Sequence, residues 1–235
     1  MRLPVAILAG GCATRLRPVT ETIPKALVDV ADKPFVIRQL EYLRRQGLSR
    51  AVLCIGYLGG QIQAAVGDGS ALGMDVRYSC DGPRLLGTGG ALKRATSLLG
   101  DEFLVLYGDS YLPIDFRRVE ESFAASGRPA LMTVLRNDNQ WDRSNVLFRD
   151  GCIVEYNKRA PNHEMAHIDY GLGVLSASAL NDAPADEPFD LADIYHGLSV
   201  RGLLAGHEVF ERFYEIGTHE GLKAATDYFL KEDRA

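Results

Sequence analysis

The N-terminal region contains the run Leu8-Ala9-Gly10-Gly11-Cys12-Ala13-Thr14-Arg15-Leu16-Arg17-Pro18, directly after the apolar segment Val5-Ala6-Ile7-Leu8. An apolar run that ends in glycines is typical of a buried parallel β-strand followed by a loop. Glycines there let the backbone approach a phosphate group, and Arg15 adds a planar donor that suits phosphate. The alternative, from these residues alone, is a tight turn without a ligand. The run has neither the ending of a Walker loop nor the spacing of a dinucleotide-binding loop.

The composition limits the possible classes of protein. The 235 residues are 46% hydrophobic, which suffices for one sizeable α/β domain. The formal net charge of −5 argues against a nucleic-acid-binding protein, whose affinity depends on clustered Lys and Arg. The four cysteines are widely spaced without a CxxC pair, so neither a zinc site nor a disulfide framework is expected. The first apolar stretch is too short for a signal peptide or a membrane span, and we expect a cytoplasmic enzyme that does not bind membranes.

Strand and helix signals alternate in the first half of the sequence. Apolar positions 36, 37, 40 and 43 recur at helical spacing and Gly47 follows them, which predicts a helix that ends at a glycine. Alternation of this kind implies a mainly parallel sheet with right-handed crossovers. The predicted strands of this half cover residues 5–8, 51–55, 75–78 and 103–107, and the predicted helices cover residues 35–46, 60–66 and 90–99.

The second half changes character, because strands separated by short turns replace the alternation. Asp150-Gly151 is a hairpin signal between two of these strands. The predicted strands cover residues 130–135, 145–148, 152–156 and 170–176, and the predicted helices cover residues 191–201 and 219–230. No linker or repeat divides the sequence, so we expect a single domain over residues 1–235. Its nucleotide-binding half covers about residues 1–128, and residues 129–235 complete the sheet and hold the second substrate.

The glycine-rich run resembles the L-A-G-G-x-G-T-R-L-x-P signature of the sugar-phosphate nucleotidyltransferases. Thr22-Ile23-Pro24-Lys25-Ala26-Leu27 is similar to the P-K-x-L element that follows it in that family, and Ala13 stands where glycine is usual. The resemblance implies that Arg15 and Lys25 bind the triphosphate as catalytic residues and stabilise charge as pyrophosphate leaves. It also implies nucleotide contacts from the loop residues Leu8, Ala9, Gly10, Gly11, Thr14 and Arg15.

A second glycine-rich element, Leu86-Gly87-Thr88-Gly89-Gly90-Ala91-Leu92, resembles the L-G-T-[AG]-G element of the same family. The resemblance implies that Gly87 and Thr88 lie against the base and the ribose. Asp81 stands where the family often places an acidic or amide residue near the base, which adds it to the nucleotide-binding residues. The alternative for the whole element is a helix N-terminus capped by Thr88.

Two carboxylates are candidate metal ligands. Asp109 ends the apolar run Leu104-Val105-Leu106-Tyr107-Gly108, and the carboxyl end of a parallel strand is where such sheets bind ligands. The family has G-D at this place, and the resemblance implies that Asp109 is catalytic and holds Mg²⁺. Tyr214-Glu215-Ile216-Gly217-Thr218 resembles the family's D-I-G-T element, which implies that Glu215 is the second Mg²⁺ ligand. The alternatives are a helix-capping role for Asp109 and an exposed glutamate ahead of a helix for Glu215.

Three further segments resemble sugar-binding elements of the family. Glu155-Tyr156-Asn157-Lys158 is similar to its E-K-P element, with Asn157 in place of the usual glutamate, and this implies that Lys158 binds the sugar phosphate. Asp169-Tyr170-Gly171 lies where the family often has N-A-G, an element that borders the sugar. Asn145 is either a residue of the same pocket or a polar residue at a strand edge. The sugar-phosphate-binding candidates are Asn145, Asn157, Lys158, Asp169, Tyr170 and Gly171.

Five ordered elements carry the resemblance, which extends from Leu3 to about Phe229. It implies a Rossmann-like, doubly wound mixed sheet of the nucleotide-diphospho-sugar transferase type, in a single α/β domain. The implied reaction joins the nucleoside monophosphate of a nucleoside triphosphate to a sugar 1-phosphate, releases pyrophosphate and uses Mg²⁺. No nucleic acid or membrane partner is expected, and dimers are common in the family, so a homodimer is a possible state.

In its compact length the chain resembles the subgroup that includes heptose 1-phosphate guanylyltransferases and muramate-sugar uridylyltransferases. Of the possible substrates, the sequence favours GTP and a heptose 1-phosphate. The alternatives are uridylyl or cytidylyl transfer to another phosphorylated metabolite, and a sensor subunit that keeps the fold without catalysis. Two other groups are assigned no chemistry: His163 and His167 as a loop pair without a metal, and the acidic residues Asp182, Asp186, Glu187 and Asp190 as a solvated surface with a helix cap.

Overall fold

The computed structural model describes residues 2–137, 140–141 and 143–234. In chain order, the strands of this part are β1 (Val5–Leu8), β2 (Asp29–Val30), β3 (Lys33–Pro34), β4 (Arg50–Ile55), β5 (Asp75–Cys80), β6 (Glu102–Tyr107), β7 (Ser110–Tyr111), β8 (Ala130–Arg136), β9 (Val146–Arg149), β10 (Cys152–Tyr156), β11 (His167–Ser176), β12 (Leu204–Val209) and β13 (Tyr214–Glu215). The α-helices are α1 (Phe35–Arg45), α2 (Gly59–Val66), α3 (Gly87–Leu99), α4 (Phe116–Ser126), α5 (Leu191–Val200) and α6 (His219–Glu232).

The main sheet is built around β1. Its four side chains are apolar and three of them are buried, so the strand has to lie between two others. It pairs in parallel with β4 and with β6, and Val5 lies opposite both Ala51 and Leu104. Within the described residues the sheet has the order β5-β4-β1-β6-β11-β8-β12-β10-β9. Because β11 runs antiparallel to β6 and β8 while β12 runs parallel to β8, the sheet is mixed, as predicted.

Helices cover both faces of this sheet. On one face α1, α2 and α4 contribute apolar side chains such as Leu40, Ile62 and Val119 to a core with the inward residues of the strands. On the other face α3 and α5 contribute Leu92 and Leu191 to a separate core. The predicted doubly wound α/β domain is therefore confirmed, with the two cores on opposite sides of one sheet.

A third, smaller cluster lies beneath α6, away from the two sheet cores. Its buried members come from three distant parts of the chain, and we call it the α6 cluster: Val28, Val30, Phe35, Tyr111, Ile216, Ala225 and Phe229. The guanidinium of Arg38 lies 4.3 Å from the centre of the Phe229 ring, and its Nη2 is 3.0 Å from Oδ2 of Asp233. These contacts fix α6 against α1 and against the short strands that flank the glycine-rich loop.

Most of the predicted elements are present, but several bounds differ and some elements, among them the short strands β2, β3, β7 and β13, were not predicted. The helix predicted over residues 90–99 begins earlier, at Gly87. Helix α4 and strand β12 were not predicted, although the buried positions of α4 at Phe116, Val119 and Phe123 have helical spacing. The hairpin predicted at Asp150-Gly151 joins β9 to β10, and both residues have left-handed φ angles, 50° and 76°. In the described part of the chain, no helix is long and apolar enough to span a bilayer.

Candidate active site

A cavity of about 300 Å³ opens at the carboxyl ends of β1 and β6, where a parallel sheet is expected to bind ligands. It brings together ten of the residues predicted to bind nucleotide, metal or sugar phosphate: Leu8, Ala9, Gly10, Gly11, Lys25, Asp81, Gly87, Thr88, Asp109 and Lys158. We call it the nucleotide cavity. The cavity is also lined by Cys54, Leu85, Ala91 and Tyr107. These residues were not predicted, because apolar and aromatic residues of this kind form no motif.

The glycine-rich loop has the conformation that its sequence requires. A side chain at Gly10 would place a Cβ 3.2 Å from the backbone nitrogen of Gly56, so the close approach of the two segments favours glycine. Ala13 has φ 47° and ψ 46°, the left-handed region that costs a residue with a Cβ roughly 1 kcal/mol or more. This explains why glycine is usual at that position. The Thr20 hydroxyl donates to the carbonyl oxygen of Ala13 at 2.7 Å and helps to hold the turn.

Lys25 and Asp109 meet at one end of the nucleotide cavity. Lys25 lies in a short 3₁₀ turn, Lys25–Leu27, that follows Pro24, and Asp109 follows β6. The ammonium Nζ of Lys25 is 2.5 Å from Oδ2 of Asp109, and about a fifth of each side chain (22%) is exposed. A cation and a carboxylate are therefore available together for phosphates and for a divalent ion.

A buried glutamine side chain holds the backbone around Asp109 by hydrogen bonds. Gln39 of α1 is 2% exposed, and its Nε2 donates to the carbonyl oxygens of Tyr107 at 3.0 Å and of Ser110 at 2.7 Å. These two carbonyls flank Gly108 and Asp109. Gln39 thus fixes the path of the turn between β6 and β7 that presents the Asp109 carboxylate.

The second predicted metal ligand, Glu215, lies on β13, whose pairing with β7 brings its backbone beside the turn that contains Asp109. Glu215 lies opposite Ser110, and the backbone N–H of Ile216 donates to the carbonyl oxygen of Asp109 at 2.9 Å. A Cβ on Gly217 would lie 3.5 Å from Oδ2 of Asp109 and 3.6 Å from Nη2 of Arg15. The two carboxylates and Arg15 therefore belong to neighbouring backbone segments.

This donor set fits Mg²⁺. The ion is usually held by one or two carboxylates, with water and substrate phosphates as the remaining ligands. The described residues contain no group of three or more His, Cys, Asp and Glu side chains that could hold a metal by themselves. Asp109 and Glu215 would therefore hold the ion jointly with the phosphates of a substrate.

A second cavity, of about 410 Å³, lies beside the first on the far side of Arg15 and Gly217. We call it the acceptor cavity, and its described lining is Arg15, Trp141, Asn145, Ile168, Asp169, Arg212, Phe213, Tyr214, Glu215, Gly217, Thr218, Glu220, Gly221 and Ala224. Among the predicted site residues, Arg15, Asn145, Asp169 and Glu215 lie here rather than in the nucleotide cavity.

Asp169 connects the two cavities electrostatically. It lines the acceptor cavity, while Lys158, whose charge acts on it, lines the nucleotide cavity. Burial raises the pKa of the Asp169 carboxyl to about 6, against the opposing effects of the Gly171 N–H and of Lys158. Its Oδ1 accepts from the Gly171 N–H at 2.9 Å, and its own N–H donates to Oδ1 of Asn145 at 3.3 Å.

Four predicted site residues line neither cavity in the described structure. Tyr170 is 2% exposed and packs edge-on against Phe213, because the register of β11 against β8 shifts between Asp169 and Gly173 and turns this side chain into the core. Asn157 uses its amide within its own turn, accepting from the Ala160 N–H at 2.9 Å. Thr14 lies exposed in the turn beyond the loop. Gly171 is buried in the shifted part of β11, with φ 106°.

The second glycine-rich element contacts protein as well as the nucleotide cavity. A Cβ on Gly89 would lie 2.2 Å from Cε2 of Phe189, and the Gly89 N–H donates to the Phe189 carbonyl oxygen at 3.0 Å. Thr88 donates its hydroxyl hydrogen to Oδ1 of Asp190 at 2.8 Å. The expectation of a solvated acidic surface with a helix cap is confirmed, since Asp182, Asp186 and Glu187 are exposed. Asp190 does cap α5, as expected, but the segment before α5 packs on the element whose glycines were assigned to base and ribose contacts.

Comparison with known proteins identifies the family. The model of the nucleotidyl transferase family matches residues 5–144. An N-acetylmuramate alpha-1-phosphate uridylyltransferase from Neisseria meningitidis serogroup B is 44% identical over 225 residues, which cover 93% of this chain and 95% of that protein. A D-glycero-alpha-D-manno-heptose 1-phosphate guanylyltransferase from Campylobacter jejuni is 28% identical over 220 residues, 91% of this chain and 94% of that protein. The crystal structure of HddC from Yersinia pseudotuberculosis complexed with GMP-PN superimposes with a TM-score of 0.82 at 27% identity and covers 97% of this chain and 100% of that one.

Proposed function

Because the chain belongs to the nucleotidyl transferase family and is a sugar-1-phosphate nucleotidyltransferase, we propose that it transfers UMP from UTP to N-acetylmuramate 1-phosphate and releases pyrophosphate. The observation that carries the choice of substrates is the 44% identity to the uridylyltransferase, which extends over nearly the full length of both chains. The two adjoining cavities, with Arg15, Lys25 and Asp109 between them, support a reaction that joins two phosphorylated substrates.

In the proposed reaction, a phosphate oxygen of the acceptor attacks the α-phosphorus of UTP in line with the departing pyrophosphate. Lys158 holds the acceptor phosphate and brings it to the nucleotide cavity. Arg15 and Lys25 offset the negative charge that grows on the leaving group. No general base is required, because the attacking oxygen is already anionic.

Asp109 and Glu215 are the residues that would hold Mg²⁺ in this proposal. An ion held by these two residues would supply positive charge that offsets the negative charge of the substrate phosphates. Gln39 and the β7–β13 pairing keep the two carboxylates on adjoining segments before any substrate binds.

Asp81 would contact the base. It is 4% exposed and lines the nucleotide cavity, and its Oδ2 accepts from the Leu86 N–H at 3.1 Å. Burial raises the pKa of this carboxyl, while that hydrogen bond lowers it. A carboxylate in this place accepts the ring N–H of uracil and equally that of guanine, so Asp81 separates these bases from cytosine and not from each other.

Transfer of GMP to a heptose 1-phosphate, which the sequence favoured, stays the second candidate. The likeness to HddC supports it, since that structure was determined with a guanine nucleotide. The relatives that perform sugar-1-phosphate nucleotidyl transfer argue for an enzyme over the sensor subunit.

A substrate matrix tests both candidates. UTP, GTP, CTP, dTTP and ATP are each combined with N-acetylmuramate, heptose, N-acetylglucosamine and glucose 1-phosphates, and Mg²⁺-dependent pyrophosphate release is measured. We expect the highest kcat/KM for UTP with N-acetylmuramate 1-phosphate. The variant Asp109→Asn should lose about 100-fold or more of the turnover while it keeps its melting temperature. A preference for GTP with heptose 1-phosphate would select the second candidate, and no release from any pair would contradict both.

A further inference from the structure

The acceptor cavity contains an arginine that the proposed reaction does not use. Arg212 precedes β13, and its guanidinium carbon lies 5.2 Å from the centre of the Tyr214 ring. With the residues that the structure describes, this guanidinium forms neither a hydrogen bond nor an ion pair. Two arginines elsewhere in the chain are paired with carboxylates, Arg38 with Asp233 and Arg94 with Asp186. Arg212 thus contributes a positive charge to the lining of the cavity, and its guanidinium is available to bind a ligand.

The acidic groups of the same cavity are committed elsewhere. Glu215 is a proposed metal ligand, and Glu220 lies in the first turn of α6, where a carboxylate stabilises the helix N-terminus. Asp169 accepts the Gly171 N–H within its own strand. Arg15 adjoins Asp109 through Gly217, at the phosphate end of the cavity. Arg212 is therefore the cation available to the part of an acceptor that does not react.

The position of Arg212 over the Tyr214 ring suits one kind of ligand. A guanidinium that lies over an aromatic ring keeps its face covered and its N–H donors directed outward in the plane. Two parallel N–H groups in that plane match the two oxygens of a carboxylate, and a neutral hydroxyl offers no comparable partner. Phe213 and Trp141, whose rings lie 6.0 Å apart, add apolar surface to the same wall.

We propose that Arg212 binds a carboxylate substituent on the acceptor sugar, so that the acceptor cavity selects an acidic sugar 1-phosphate over its neutral counterpart. This inference rests on the proposed function and specifies it. In N-acetylmuramate 1-phosphate the carboxylate belongs to the lactyl ether on O3, at a distance from the reacting phosphate. The arginine contributes to the choice of acceptor, and the transfer step itself does not need it.

The test compares two acceptors that differ only in the lactyl group, N-acetylmuramate 1-phosphate and N-acetylglucosamine 1-phosphate, with UTP and the full-length chain. We expect Arg212→Ala to lower kcat/KM for the acidic acceptor about 10-fold to 100-fold and to change that for the neutral one less than about two-fold. Arg212→Lys should recover part of the loss. The control is Arg117→Ala on α4, whose side chain pairs with Glu121 at the surface.

Two results would overturn the inference: equal losses for both acceptors in Arg212→Ala, or a wild-type preference for the neutral acceptor. If the wild type releases no pyrophosphate with either acceptor, the proposed function fails, and binding decides the inference separately. Saturation-transfer NMR would then compare free N-acetylmuramate with N-acetylglucosamine on the same chain. Stronger binding of the acidic sugar that Arg212→Ala abolishes supports the inference, and equal binding of the two sugars contradicts it.

Discussion

Lys25 Nζ lies 2.5 Å from Oδ2 of Asp109, so the lysine assigned to the triphosphate is also the partner of the carboxylate assigned to the metal. The two assignments are therefore coupled. A phosphate that attracts the Lys25 ammonium draws it away from Asp109. The carboxylate then has no positive partner and attracts a divalent ion more strongly. Arrival of the nucleotide and binding of the ion should favour each other for this reason.

Replacing Lys25 by methionine separates the two effects. Without the ammonium, the Asp109 carboxylate has one competitor fewer, and we expect Lys25→Met to bind Mn²⁺ more tightly in the absence of nucleotide. The KM for the nucleoside triphosphate should rise at the same time, because a phosphate contact is lost. Electron paramagnetic resonance titration of Mn²⁺ measures the first effect and steady-state kinetics the second. Weaker Mn²⁺ binding by the variant would show that the lysine does not compete for the carboxylate.

Gln39 should be a positioning residue for Asp109. The variant Gln39→Met keeps the shape of the side chain and removes two hydrogen bonds to backbone carbonyls, which costs about 1–3 kcal/mol of stability. Because the turn that presents Asp109 loosens, we expect the Mg²⁺ concentration for half-maximal activity to rise several-fold. The matched control is Gln46→Met on the same helix, which loses hydrogen bonds with Tyr42 and Phe116 instead. If both variants lose stability and neither changes its Mg²⁺ dependence, Gln39 is only structural.

The contact between Gly89 and Phe189 predicts a double-mutant cycle. A methyl group at Gly89 would overlap the Phe189 ring, so Gly89→Ala should lower the free energy of unfolding by about 1–3 kcal/mol. In the background of Phe189→Ala the same change should cost clearly less. Gly90→Ala is the comparison, because its Cβ would lie 2.5 Å from the Glu187 carbonyl oxygen, which Phe189→Ala leaves in place. Urea denaturation of the five variants measures the coupling, and additive effects of Gly89→Ala and Phe189→Ala would contradict it.

The raised pKa of Asp169 predicts how stability varies with pH. The carboxyl has a pKa of about 6 in the folded protein against an ordinary value of 3.8, so the folded state prefers the protonated form. Stability of the wild type therefore falls as the pH rises from about 4 through 6. Asp169→Asn has no such titration and keeps an acceptor for the Gly171 N–H. Its advantage over the wild type should be absent near pH 4 and amount to about 2–3 kcal/mol above pH 7.

Urea denaturation at pH 4.5 and pH 7.5 measures this difference between the two proteins. Asp182→Asn, at an exposed position, serves as the control and should run parallel to the wild type. If the free energies of unfolding of Asp169→Asn and the wild type changed equally between the two pH values, the prediction would be contradicted. The Asp169 carboxyl would then be charged in the folded protein at little cost in stability.

The residues that could be predicted from the sequence are those fixed by local backbone geometry. Leu8 to Gly11 and Asp109 follow parallel strands, and the carboxyl ends of such strands meet at one edge whatever the rest of the chain does. Lys25 follows the glycine-rich loop closely in the sequence. Their assembly around one cavity follows from the order of strands and helices in the first half.

Other features depend on partners far away in the sequence. Nothing near Gly89 indicates that Phe189 will occupy the space beside it. The spacing of Asp169-Tyr170-Gly171 does not indicate a shift of register that buries Tyr170 and leaves Asp169 at the cavity. Arg212 gives no motif, because its surroundings come from β13, from β11 and from the segment that contains Trp141.

The α6 cluster has a consequence for synthesis on the ribosome. The described residues that line the nucleotide cavity have all been made once Lys158 is added. Ile216 and Phe229, which pack beneath the β7–β13 pair, are translated more than fifty residues later. Domains fold from the N-terminus as the chain emerges, so a nascent chain can form its first parallel strands long before β13 is made and can pair with β7. A product stalled before β13 would therefore carry the described lining of the nucleotide cavity without Glu215 and without the α6 cluster that supports it.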